Sequence, residues 1–301
     1  MNVVEEIEKL KLEHGAVILA HNYTLPEIQD IADFVGDSLE LSIKAKHSGA
    51  RVIVFCGVRF MAETAKILSP ESVVLHPDPS AGCPMADMAG FQMVKEYREA
   101  HPDTVLVAYV NTAAETKTLA DICCTSGNAE QIIRSIPPEQ EILFLPDANL
   151  GRNIMDKTGR AMELWPGYCP THARILPEAI LRERQAHPEA LALVHPECRP
   201  AVTALADQAL STGGMLRFVR DSSAAEFIIG TEAGIIHRMR LENPGKTFIS
   251  PTPLPICPNM KKIGLGDVLL SLRDFSNRIE LTPETVEMAR RPLERMLAVR
   301  A

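Results

Sequence analysis

A Cys-Pro dipeptide occurs three times in the chain, as Cys83-Pro84, Cys169-Pro170 and Cys257-Pro258, with the thiols 86 and 88 residues apart. Thiols at nearly equal intervals, each followed by a residue that cannot continue a helix, point to three loops from three copies of one unit. Copies arranged around an axis would bring the thiols together. Three converging thiolates could hold zinc with one open position, or a 4Fe–4S cluster with one iron free. Structural zinc usually shows clustered Cys-x-x-Cys pairs, which are absent here and leave the cluster modestly favoured. An open iron can act as a Lewis acid toward a hydroxyl or carboxylate.

The same interval carries other reactive groups. His21, Tyr109 and His195 are spaced by 88 and 86 residues, and each closes a short apolar run. Asn22 and Tyr23, Asn111, and Glu197 stand beside them. Histidine can act as acid or base near neutral pH, and tyrosine can deliver a proton from a fixed hydroxyl. A hydroxyl follows five residues after each of Asp33, Asp121 and Asp207, at Ser38, Ser126 and Thr212. These hydroxyls read as helix N-caps. A helix N-terminus also presents free amides and partial positive charge, so three converging ends would form an anion pocket.

The elements that must position these groups follow from the patterning. Val17–Ala20, Val105–Ala108 and Leu191–Val194 are short continuous apolar runs, as expected of buried parallel strands. Helices follow the hydroxyls, most clearly where Ala129, Ile132, Ile133 and Ile136 fall at i, i+3, i+4 and i+7. A second apolar run precedes each Cys-Pro. The register predicts three similar three-layer α/β units of Rossmann-like type with small parallel sheets, arranged about a pseudo-threefold axis. The units are expected at residues 1–98, 99–184 and 185–272, with a helical tail over 273–301. Ligands then belong beyond the carboxyl ends of the strands, where the rings and hydroxyls stand.

Bulk properties narrow the class. The net charge of −8 argues against nucleic acid or an anionic membrane as the main partner. The acidic start, Met1-Asn2-Val3-Val4-Glu5-Glu6, does not resemble a secretory signal, so a cytoplasmic location is the default expectation. Seven cysteines without such a signal argue against a disulfide framework. Cys56, Cys123, Cys124 and Cys198 read as small buried hydrophobes.

With these residues assembled, the chain resembles the quinolinate synthases, the A proteins of bacterial and archaeal NAD biosynthesis. The carrying segments are His21-Asn22-Tyr23, Gly36-Asp37-Ser38-Leu39, Phe60-Met61-Ala62-Glu63-Thr64-Ala65, Ala81-Gly82-Cys83-Pro84-Met85-Ala86-Asp87-Met88, Tyr109-Val110-Asn111, Thr125-Ser126, His195-Pro196-Glu197-Cys198 and Asn259-Met260-Lys261. The resemblance covers essentially the whole chain. It implies one 4Fe–4S cluster per chain, bound by Cys83, Cys169 and Cys257 with one iron open. It also implies a transferase that condenses iminosuccinate with dihydroxyacetone phosphate to quinolinate, phosphate and water, with an aspartate oxidase or dehydrogenase supplying iminosuccinate. Carried over by position, His21, Ser38, Tyr109, Val110, Asn111, Ser126, His195, Pro196, Glu197 and Thr212 line the substrate site. His21, Tyr23, Tyr109, His195 and Glu197 form its catalytic group, with Tyr23, His21, His195 and Glu197 moving protons.

Two departures from the family pattern stand out. Cys123-Cys124 lies just before Ser126, where a Val-type residue is more usual. No Cys-x-x-Cys-x-x-Cys accompanies Cys257, so disulfide control through that motif is not expected. Two other classes fit the thiol spacing: a different cluster-dependent hydro-lyase, which needs no phosphate pocket, and a non-enzymatic iron–sulfur sensor or zinc-stabilised scaffold.

Overall fold

The computed structural model describes residues 2–299 and contains three separate four-stranded sheets. The first holds β1 (Ala16–His21), β2 (Phe34–Gly36), β3 (Val52–Cys56) and β4 (Val73–Leu75). The second holds β5 (Val105–Tyr109), β6 (Ile122–Cys124), β7 (Ile142–Leu145) and β8 (Glu163–Leu164). The third holds β9 (Leu191–Val194), β10 (Gln208–Ala209), β11 (Glu226–Gly230) and β12 (Thr247–Ile249). All pairs are parallel, and the orders β2-β1-β3-β4, β6-β5-β7-β8 and β10-β9-β11-β12 repeat one topology. The expected α/β class with three small parallel sheets is the one observed.

The central strands are apolar without alternation because helices cover both faces of each sheet. Val52–Cys56 and Ile142–Leu145 are buried at every position. The chain reverses direction across the sheet between the first and third strands of each unit, so a crevice opens at their carboxyl ends. His21, Tyr109 and the segment after Val194 are placed there by register, as are the residues following β3, β7 and β11.

The repeated aspartates hold this arrangement rather than the chemistry. The carboxylates of Asp33, Asp121 and Asp207 accept the amides of Ile18, Leu106 and Ala192 at 2.8, 2.8 and 2.7 Å. Their own amides donate to the carbonyls of the same three residues. Each also meets a cation from the preceding helix: Lys11, Arg98 and Arg184. A single carboxylate thus fastens the second strand of each unit to the first. Asp207→Ala is expected to cost about 1–3 kcal/mol by leaving the Ala192 amide unpaired, read as a lower urea midpoint.

The chain ends complete the first unit. The helix Val3–His14 contributes Ile7, and the helix Leu265–Asp274 contributes Val268, Leu269 and Leu272, to one cluster with Ile18, Val52 and Val54. Residues 265–272, placed by spacing in the third repeat, therefore pack on the first sheet. Ile279 donates its amide to Val74, extending that sheet's edge. In the tail, the helix Pro283–Ala298 buries Ala289, Leu293 and Met296 in the central core.

Candidate active site

One cavity of about 260 Å³ collects residues from all three units. His21, Tyr23, Ser38, Tyr109, Asn111 and Ser126 line it with His195, Glu197, Thr212, Cys83, Cys169 and Cys257. Its size suits a small metabolite. Val110 and Pro196 do not line it. Alternation past the strand ends turns them away: Val110 joins the apolar core, and Pro196 offers its carbonyl to Asn153 at 2.7 Å.

The hydroxyls do not cap their helices. Ser38 and Thr212 are each the first residue of a helix, and the caps are Asp37 and Ser211. Asp37 accepts the amides of Leu39 and Glu40 at 3.1 and 3.0 Å, and Ser211 accepts that of Gly214 at 3.1 Å. Ser126 precedes the helix Ala129–Ser135, whose N-cap position is Asn128. At Ser38 and Thr212 the neighbouring residue takes the capping role and leaves the hydroxyl to face the cavity, whereas Asn128 makes no side-chain cap and Ser126 faces the cavity from the loop. Asp37 also accepts from Ser211 and from the Gly213 amide, tying the first and third helix starts together. A side chain at 213 would stand 2.7 Å from the Asp37 carboxylate, which explains the glycine. Asn22 donates to Thr212 Oγ1 at 3.0 Å, leaving the threonine proton for the cavity. Asn111 Oδ1 is shielded from solvent and has no partner among the described residues.

The two histidines share one local device. The Tyr23 amide donates to His21 Nδ1 at 3.2 Å, and the Glu197 amide donates to His195 Nδ1 at 3.3 Å. A ring nitrogen that accepts an N–H carries no proton, so each neutral ring keeps its hydrogen on Nε2. Burial, and for His21 also the His195 ring, brings both pKa values down to about 3. At neutral pH each ring is therefore uncharged and offers its Nε2 hydrogen. Since the folded state resists protonation here, stability should fall as pH drops from about 6.5 toward 3. The thermal midpoint of a His21→Asn/His195→Asn variant should depend less on pH across that window.

A continuous chain of hydrogen bonds runs beside them. Tyr109 donates to Glu197 Oε1 at 2.5 Å, and Glu197 Oε2 lies 2.8 Å from His172 Nδ1. His172 Nε2 lies 2.9 Å from Thr231 Oγ1, which lies 2.5 Å from the Tyr23 hydroxyl. Burial pushes the Glu197 carboxyl up, but the His172 and His195 rings and the Tyr109 hydrogen bond outweigh it and hold Glu197 below the usual carboxylate range. Burial, then the Glu197 charge, keeps both phenols protonated well above their ordinary range. With Glu197 ionised, His172 donates from Nδ1 and accepts from Thr231 at Nε2, and every polar atom in the chain is satisfied.

Sequence reasoning missed His172, Thr231, Glu232 and Lys261. His172 had a signal in its Cys-x-x-His spacing from Cys169. Thr231 and Glu232 follow β11 directly, at a carboxyl end. Glu232 is fully buried, accepts the Cys257 amide at 3.1 Å and pairs with Lys261 at 3.0 Å. Lys261 in turn donates to the Tyr23 carbonyl, so this pair ties a thiol loop to the Tyr23 loop.

Each cavity thiol sits just before a short helical turn: Pro84–Asp87, His172–Arg174 and Asn259–Lys261. Pro84 opens such a turn as its first residue, where a missing N–H costs nothing. Amides of Met85 and Ala86, of His172, and of Asn259 and Met260 donate toward the three sulfurs. Burial pushes the Cys83 thiol up to about 12 and raises the other two, so a bound cation is needed to make them thiolates. The three sulfurs do not all lie within 4.8 Å of one another. A single zinc with bonds of about 2.3 Å would need them within roughly 3.8 Å. One zinc could therefore not take all three sulfurs without movement of their loops. Cys56, Cys123, Cys124 and Cys198 are fully buried and do not line the cavity.

Three parallel α/β sheets around a small cavity, whose apolar walls carry imidazoles, phenols, a buried carboxylate and three thiols, define an enzyme-like site for small-molecule chemistry. The family model described as quinolinate synthetase A protein matches residues 5–298. The chain is 53% identical over 297 residues to a quinolinate synthase of Desulforudis audaxviator, covering 99% of this chain and 98% of that one. It is 51% identical over 300 residues to one from Pelobacter propionicus, with the same coverage, and 48% identical over 297 residues to one from Geobacter metallireducens, with 99% and 97% covered. The chain belongs to the quinolinate synthetase A family. No helix among the described residues is long and apolar enough to cross a membrane.

Proposed function

We propose that the chain condenses iminosuccinate with dihydroxyacetone phosphate to give quinolinate, phosphate and water. The observation that carries this reading is the convergence on one cavity of helix-start hydroxyls, imidazole donors, an ionised carboxylate and three thiols. Ser38, Ser126 and the neighbouring helix starts hold the phosphate, and later a carboxylate of the product. His21 and His195 donate from Nε2 to substrate oxygens and fix their orientation. Glu197 takes a proton from substrate carbon, and Tyr109 keeps that carboxylate aimed. Tyr23 supplies a proton to a departing oxygen. Reversing the three hydrogen bonds through His172 and Thr231 returns a proton from Glu197 to Tyr23. A 4Fe–4S cluster on Cys83, Cys169 and Cys257 would supply Lewis-acid polarisation for the closing dehydration.

Anaerobic purification, iron and sulfide analysis and a quinolinate assay test the reading together. About four irons per chain and quinolinate formed only with both substrates are expected. Iron at that level with no product would point to another hydro-lyase. Tyr23→Phe is expected to keep the cluster spectrum and lower kcat by about 10²-fold or more. Normal turnover in that variant would remove Tyr23 from the mechanism.

A further inference from the structure

Beside the cavity, Cys169, His172 and Glu197 form a second and more compact donor set. His172 Nδ1 lies 3.1 Å from Cys169 Sγ and 2.8 Å from Glu197 Oε2. All three donor atoms lie within 4.8 Å of one another, and among the described residues no other trio of Cys, His, Asp or Glu does so. His172 and Glu197 are almost wholly buried.

The surroundings are those of a prepared ligand set. His172 Nε2 is held by Thr231 Oγ1 at 2.9 Å, and Glu197 Oε1 accepts the Tyr109 hydroxyl at 2.5 Å. The His172 amide donates to the Cys169 sulfur. Hydrogen bonds of this kind orient metal ligands and set the imidazole tautomer. Around a tetrahedral zinc, S, N and O donors stand about 3.4–3.6 Å apart. The two distances from His172 Nδ1 would therefore open by roughly half an ångström, and the Cys169–Glu197 separation, within 4.8 Å, would adjust to match. The three Cys-Pro sulfurs, by contrast, do not all lie within 4.8 Å of one another.

We propose that the chain, when it lacks its cluster, binds one thiophilic divalent cation of the zinc type through Cys169 Sγ, His172 Nδ1 and Glu197 Oε2, with the fourth position open to the cavity. Binding releases the Cys169 thiol proton and moves the imidazole proton to Nε2, where Thr231 accepts it. Cys83 and Cys257 stay free. Such an ion occupies one proposed cluster ligand and the carboxylate together, so it competes with cluster assembly. The site depends on donor geometry alone, so its test succeeds or fails independently of quinolinate formation.

Cobalt(II) titration of the cluster-free full chain provides the test, because a thiolate bound to cobalt gives a near-ultraviolet charge-transfer band. One cobalt per chain is expected, displaced by zinc. The band should persist in Cys83→Ser/Cys257→Ser, vanish in Cys169→Ser, and require at least tenfold more metal in His172→Ala. Glu197→Gln replaces His172→Ala if the latter fails to fold by circular dichroism, with the same tenfold expectation. A band lost in Cys83→Ser/Cys257→Ser but unchanged in His172→Ala or Glu197→Gln would mean a three-thiolate site and overturn the proposal. Absence of any band in the natural chain would overturn it equally.

Discussion

Serine in place of Cys83, Cys169 or Cys257 is expected to abolish iron–sulfur absorbance and quinolinate formation together. Burial raises each thiol, and neighbouring amides, with the Thr171 side chain at Cys257, offset it only in part, so a bound metal would be needed to hold the three as thiolates. A hydroxyl at the same place is a harder donor with a far higher pKa, and it cannot replace a soft thiolate on iron. Two remaining thiols would leave the group under-ligated in a cavity open to substrate and water. Iron and sulfide content should fall to background while far-ultraviolet circular dichroism stays unchanged. Serine at Cys56, Cys123, Cys124 or Cys198 should leave iron content intact, since these thiols lie in apolar packing away from the cavity. A Cys83→Ser chain with full iron content and turnover would sink the ligand assignment.

Glu197→Gln is expected to lower kcat by about 10²–10⁴ with the cluster retained. The amide keeps the size of the carboxylate and can still accept from Tyr109. It cannot abstract a proton, and it removes the charge that makes His172 donate from Nδ1. The imidazole would then be free to change tautomer, breaking the path to Thr231 and Tyr23. KM for dihydroxyacetone phosphate should change much less, because the proposed phosphate contacts come from the helix starts. A variant with unaltered kcat would exclude Glu197 as the base; one that loses iron as well would make its role structural.

Much of this architecture was legible because the chain repeats itself. The positions of Asp33, Asp121 and Asp207 in register with the rings and hydroxyls predicted three copies of one parallel unit, and three sheets of one topology are present. The reading failed where function depends on a single hydrogen bond. Ser38 and Thr212 looked like caps, yet the residue before each one caps the helix. His21 and His195 looked like proton carriers because histidine titrates near neutrality. Burial and a backbone amide on Nδ1 hold them neutral, with the hydrogen on Nε2. The packing of Leu265–Asp274 on the first sheet was invisible because apolar periodicity marks a buried face without naming the sheet that buries it.

The sequence by itself determined the class of fold, the three thiols and most of the polar groups at the strand ends. Those follow from local rules: period, turn chemistry and the placement of reactive residues after apolar runs. Only the tertiary structure decided which of these groups touch. Tyr109, Glu197, His172, Thr231 and Tyr23 lie far apart along the chain and become one hydrogen-bonded line only when the three units close on a shared cavity. The separation of the three sulfurs belongs to the same level. It depends on how units pack, at distances no residue spacing encodes.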